Sequence, residues 1–142
     1  MSTLHRLRGM PAVFTAAALF VVTTSVWATA VTVKLTGAQE TPPVKTAATG
    51  TGTITINADK SVSGKIKTTG IEGTMAHIHT GAPGESGPPI ITLTKDPDGG
   101  WSVPPGAVLT DDQYAVFKAG HLYVNVHSAE HVPGEIRGQL TP

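Results

Sequence analysis

After residue 30 the chain alternates. Val31, Val33 and Leu35 interleave with Thr32, Lys34 and Thr36; Ile54 and Ile56 with Thr53 and Thr55; Val62, Gly64 and Ile66 with Ser63, Lys65 and Lys67. Apolar and polar side chains exchanging with a period of two, between segments rich in Gly, Pro, Asn and Asp, mark strands with one face buried and one in water. Asn57-Ala58-Asp59-Lys60 supplies turn chemistry between two of these runs and predicts a hairpin. Further strands are expected over 73–79, 89–94, 121–127 and 134–140. One short helix is expected near 111–119, because Thr110-Asp111-Asp112-Gln113 reads as a capping box, Tyr114, Val116 and Phe117 follow, and Gly120 can end the helix. Gly81 to Pro89 and Asp96 to Gly106 read as long surface loops. This spacing predicts an all-β fold, an antiparallel Greek-key-like β-sandwich or barrel.

The first thirty residues follow a different rule. His5, Arg6 and Arg8 precede an uncharged apolar run from Pro11 to Ala30, which closes on Ala28-Thr29-Ala30. A positive start, an apolar middle and a small-x-small ending are the layout of a secretory signal. Cleavage is expected after Ala30, with Ala28 as the alternative, so residues 1–30 are read as a cleaved signal peptide and 31–142 as the domain. An apolar stretch of about 20 residues is also long enough to span a bilayer. Thr23, Thr24 and Ser25 dilute it, and the ending favours processing, so an exported product, periplasmic or secreted, with no stable membrane insertion after cleavage is expected.

Composition narrows the chemistry. The 142 residues include no cysteine, which excludes disulfides, zinc ribbons, iron–sulfur clusters and thiol catalysis. Ten basic and ten acidic groups leave a formal net charge of zero and no basic block, so nucleic acid is not an expected partner. Removing residues 1–30 leaves eight basic groups against ten acidic ones and five histidines. Any metal must then be held by nitrogen, oxygen or methionine sulfur. Asp96-Pro97-Asp98-Gly99-Gly100 lacks the spaced oxygen ligands of a calcium loop and reads as a turn. No nucleophile-elbow motif and no phosphate-binding glycine loop is present.

Parity locates the candidate chemistry. In Met75-Ala76-His77-Ile78-His79, Ala76 and Ile78 face one way while Met75, His77 and His79 face the other. From His121 to His127 the split recurs, with Leu122, Val124 and Val126 on one side and His121, Tyr123, Asn125 and His127 on the other. Residues i and i+2 of a strand lie about 6.7 Å apart on one face, so two imidazoles of a His-x-His pair can converge on one ion. A third histidine from a neighbouring strand gives three nitrogen ligands with an open position. Imidazole suits copper, zinc, nickel and iron. Missing thiolate, Met75 on the same face and the affinity order of divalent ions favour copper, with zinc compatible. His-x-His alone also fits two solvated histidines. The expected ligands are therefore His77, His79 and His127, with Met75 and His131 as supplementary candidates and His121 facing solvent.

Several ordered motifs carry a family resemblance. Leu35-Thr36-Gly37-Ala38-Gln39-Glu40-x-Pro42-Pro43, Ala76-His77-Ile78-His79-x-Gly81, Gly84-x-x-Gly87-Pro88, Leu122-Tyr123-Val124-Asn125-Val126-His127 and Pro133-Gly134-Glu135-Ile136-Arg137-Gly138-Gln139-Leu140 together resemble the CHRD, or chordin-type, domain of exported bacterial proteins. The resemblance spans residues 31–141 and implies an immunoglobulin-like or dismutase-like β-sandwich. His77-Ile78-His79 with the late Val126-His127 is also similar to the copper ligands of Cu,Zn superoxide dismutases, and implies copper-dependent dismutase chemistry. The dismutase cysteine pair, zinc loop and bridging histidine have no counterpart here, which leaves zinc and a fourth copper ligand without assigned residues.

Arg137 is the only arginine after residue 30. If 134–140 pairs with 121–127, its guanidinium comes near the histidines, where it can guide a small anion such as superoxide; a surface pair with Glu135 or a structural bond to loop carbonyls is the competing role. The expected function is an exported domain that binds copper through three histidines; whether it is an enzyme is left open, and if it is one, superoxide dismutase-like chemistry with Arg137 as anion guide is expected. The alternatives are a periplasmic carrier served by a copper donor, or a non-catalytic extracytoplasmic binding or matrix module.

Overall fold

The computed structural model describes residues 27–142. The charged start and the apolar run expected to form a signal lie outside the described residues, save their last few positions.

Nine strands and one α-helix follow in chain order among the described residues: β1 (Ala28–Thr36), β2 (Thr49–Asn57), β3 (Val62–Thr69), β4 (Gly73–Thr80), β5 (Pro89–Thr92), β6 (Thr94–Lys95), β7 (Trp101–Ser102), α1 (Asp111–Lys118), β8 (Leu122–Ser128) and β9 (Ile136–Leu140). A turn of 3-10 helix, Gly37–Gln39, follows β1. All pairings are antiparallel, in the order β5-β4-β8-β9-β1-β2-β3-β7-β6. The two ends of that order, β5 and β6, are consecutive in sequence. Residues 89–95 therefore leave β4 and join β7, and the sheet curls into a nearly closed barrel. The chain crosses over between β3 and β4, which are not neighbours, as the expected Greek-key-like class requires.

Period-two patterning explains why these segments pair. Val31, Val33, Leu35, Ile54, Ile56, Val62 and Ile66 point inward from β1–β3, and Ala76, Ile78, Leu122, Val124, Val126, Ile136 and Leu140 from β4, β8 and β9. Full burial of each larger side chain contributes about 1.5–3 kcal/mol. The β2–β3 turn forms where expected, with Lys60 at φ 71° and the Lys60 amide donating to Asn57 O at 2.9 Å. The capping box is present in both halves: Gln113 N donates to Thr110 Oγ1 (3.2 Å) and Thr110 N to Gln113 Oε1 (2.9 Å). Gly120, at φ 75°, takes the left-handed conformation past the helix end.

Two expectations change. Residues 96–106 are not one loop, because β7 lies within them and pairs Ser102 with Lys65 and Trp101 with Ile66. The buried Trp101 ring draws this polar stretch onto the barrel, an effect that two residues of strand pattern do not announce. The 89–94 strand divides at Leu93 because the chain there changes partners. At the other end, the cut expected after Ala30 falls inside β1, whose core-facing positions begin at Val31 while Ala28 and Ala30 are exposed.

Candidate metal centre

β4 and β8 are neighbours, with Met75 opposite His127, His77 opposite Asn125 and His79 opposite Tyr123. The inward-facing Ala76, Ile78, Val124 and Val126 are fully buried, so the other parity of both strands looks out of the barrel. His77, His79 and His127 come together there, each offering a ring nitrogen within 4.8 Å of the others'. They are the only group of three or more histidine or acidic side chains so placed among the described residues.

Hydrogen bonding assigns the nitrogens. His79 Nδ1 lies 2.9 Å from Gly87 O and His127 Nδ1 2.8 Å from Val132 O. A carbonyl only accepts, so both Nδ1 atoms carry the proton and both Nε2 atoms present lone pairs. His77 instead turns Nδ1 toward His127 Nε2, at 3.1 Å. The buried His79 Nε2 has no partner in the protein, an expensive state for a polar atom unless something else meets it. Burial, then the neighbouring His127, holds the His77 pKa below the usual histidine value; burial likewise lowers that of His79, against the raising effect of its bond to Gly87. Both shifts favour the neutral ring that metal ligation requires.

The outward face is covered along β8 and at His79, and opens toward Met75. His79, Tyr123, Asn125 and His127 are all buried, because three segments lie over it: residues 40–44, 81–88 and 129–135. The 81–88 loop is fastened by side chains. Arg137 donates to Glu85 O (2.7 Å) and Ala82 O (2.9 Å), Gln139 Nε2 to Gly81 O (2.8 Å), and Gly87 N to Tyr123 Oη (3.2 Å). His79 stacks on Tyr123 with ring centroids 4.9 Å apart and planes 10° from parallel, and the Arg137 guanidinium covers the same ring at 3.6 Å.

On the neighbouring side, Asn125 donates to Glu40 and to Ile136 O (3.3 Å). Burial pushes the Glu40 carboxyl up to about 7, against the lowering effects of Asn125 and Arg137. Gly134 passes so close that a Cβ there would meet the Asn125 amide at 2.5 Å, which restricts the position to glycine. A cleft of about 310 Å³ lies between Glu40, His79, Tyr123, Asn125 and His131.

The expected site residues thus divide. His77, His79 and His127 converge. Met75 sits beside His127 in register, 47 % exposed at the edge. His131 lines the cleft with His79 and is not one of the converging three. Arg137 is 1 % exposed and lies behind Tyr123, its donors committed to loop carbonyls and to Gln139 Oε1 (3.0 Å). Tyr123 and Asn125 share the parity of His127 and were readable from it as members of the site face. Glu40, 85 positions from Asn125, carries no local signal.

Fold and site define a small antiparallel β-barrel with a histidine cluster roofed by its own loops. The chain belongs to the CHRD domain family, whose model matches residues 31–140. No curated protein and no solved structure matches it.

Proposed function

We propose that this CHRD domain is an exported copper-binding protein that holds the ion through His77 Nδ1, His79 Nε2 and His127 Nε2. The observation that carries the reading is the unpartnered, buried His79 Nε2, aimed by the bond from its other nitrogen to Gly87 O. Fixing the far nitrogen of a ligating imidazole on a backbone carbonyl sets its tautomer and orientation, and His127 repeats the device through Val132 O. Three imidazole nitrogens and no thiolate suit Cu²⁺ above the other common divalent ions.

Copper would supply one-electron exchange, the chemistry that superoxide dismutation needs. The protein's part is to hold the Nε2 lone pairs of His79 and His127 in place, to keep His77 Nδ1 beside His127 Nε2, where its proton would shift to the other ring nitrogen as the ion binds, and to leave the His77 edge half open beside Met75. The loops over His79 and His127 exclude bulk water from the remaining sides.

A carrier that exchanges copper with a donor protein is the second reading. It is favoured by Arg137, whose donors are engaged with Glu85 O and Ala82 O, whereas anion guiding calls for a guanidinium free to meet its anion. Titration with Cu²⁺, followed by calorimetry and paramagnetic resonance, is expected to give one tightly held ion per chain with nitrogen hyperfine structure. His79→Ala should lower affinity by more than about 100-fold. Lack of stoichiometric binding would overturn the copper assignment. Superoxide decay by the loaded protein separates enzyme from carrier, since only the enzyme accelerates it.

A further inference from the structure

The outer face of β1, β2 and β3 takes no part in the histidine site. Half of its outward positions are threonine, joined by Lys34, Lys65 and Lys67, and none is acidic, aromatic or a large aliphatic residue. Register aligns them in rows across the strands. Lys34, Thr51 and Lys67 form one row, and Thr36, Thr49 and Thr69 the next. With neighbouring strands about 4.8 Å apart, the two lysines of the first row stand on backbones roughly 10 Å apart with a hydroxyl between them. A trough of about 490 Å³ runs over these rows.

Charge on this face is cancelled only in part, Asp98 interacting with Lys67 as well as pairing with Lys65. Lys65 is paired with Asp96 (3.2 Å) and Asp98 (3.1 Å), but Lys34 and Lys67 make no ion pair among the described residues. From residue 31 onward the chain carries eight basic groups against ten acidic ones, so a patch of this sign runs against the whole. Cross-strand packing does not require lysine at exposed positions that threonine fills elsewhere on the same strands.

We propose that this face binds an acidic polysaccharide, with Lys34 and Lys67 meeting its carboxylates and the threonine hydroxyls between them bonding sugar hydroxyls. Other occupants fit less well. A bilayer surface would be met by apolar or aromatic side chains able to enter it, and the face has none. Single-stranded nucleic acid would need stacking rings, and a protein partner an apolar or aromatic anchor. A hydroxylated polyanion asks for ammonium groups and hydroxyls, which Lys34, Lys67 and the threonines set around a trough otherwise lined largely by apolar surface. The site is separate from the histidines and does not depend on a metal.

Affinity electrophoresis and calorimetry of the full chain with polygalacturonate test this. Binding is expected, weakening steeply as salt rises, because exposed charges are screened over about 10 Å at 0.1 M. Lys34→Glu/Lys67→Glu should reduce affinity at least tenfold at unchanged melting temperature, whereas the charge-matched Lys60→Glu/Lys118→Glu should not. Uncharged dextran and phosphatidylglycerol vesicles should bind weakly or not at all. The proposal is overturned by absent polygalacturonate binding, by equal loss in the two double variants, or by dextran or vesicles binding as tightly.

Discussion

The β1–β3 face and the β4–β8–β9 face are built from the same alternation and end in opposite environments. On β1–β3 every second residue is a threonine, lysine or other small or polar residue in water. On β8 all seven residues are buried, the inward ones in the core and the outward ones under three loops. A bare sheet face can carry any polar side chain at little cost. A covered face must satisfy every polar group it holds, and this one does so with Asn125 on Glu40, His127 on Val132 O and Arg137 on two loop carbonyls. His79 Nε2 is the exception, which is why it points to a ligand.

The largest effect that would break this contrast is at Arg137. Arg137→Met keeps an unbranched stem but loses the bonds to Glu85 O and Ala82 O and the charge over Tyr123. Destabilisation of about 2–3 kcal/mol is expected, below the cost of orphaning a buried charge because water can reach the freed loop carbonyls. Lys67→Met on the open face should change stability by no more than about 0.5 kcal/mol. Urea titration of the two variants measures the difference, and equal midpoints would show that the covered face is not held together as described.

Much of this was legible in the chain and part was not. Alternation fixes parity, so His77, His79 and His127 can be assigned to one side of neighbouring strands, and Thr110 to Gln113 reveals the helix start locally. Parity states which way a side chain points relative to the core, but not what waits on the other side. The cover over His79 is assembled from residues 40–44, 81–88 and 129–135, and those meetings depend on β4, β8, β9 and β1 lying side by side. For the same reason Arg137, readable as a lone charge of the right parity, gave no sign that Tyr123 would stand between it and His79. β7 was hidden because its pairing rests on one tryptophan.

A smaller effect separates the faces by pH. Glu40 is held at about 7 by burial against an ordinary 4.5. Between those values the folded protein keeps a proton that the unfolded chain has released, so stability falls as pH rises through this window. Glu40→Gln removes the titration while its side-chain oxygen can still accept from Asn125. At pH 8 the variant should gain about 1–2 kcal/mol over the native chain, a figure reduced from the full shift for solvent screening, and at pH 4 nothing. Melting temperatures at the two pH values provide the check. A gain of the same size at both would trace the change to packing and not to the proton.

An effect of about the same size comes from one substitution made in two places. Thr46 donates its hydroxyl to Glu135 Oε1 at 2.7 Å and accepts from Ala48 N at 3.0 Å, joining the approach to β2 to the buried start of the β9 segment. Thr46→Val leaves a buried carboxylate short of a donor and is expected to cost about 1–2 kcal/mol. Thr53 lies opposite Thr32 and Lys65 on the open face, where water replaces any bond its hydroxyl loses and valine is at least as good a strand former. Thr53→Val should therefore stay within about 0.5 kcal/mol of the native chain, in either direction. Equilibrium unfolding of the pair isolates the contribution of the covering segments, because shape and hydroxyl are changed identically in both. If Thr53→Val costs as much as Thr46→Val, the threonine face is not bare in solution, and whatever covers it also covers the trough between Lys34 and Lys67.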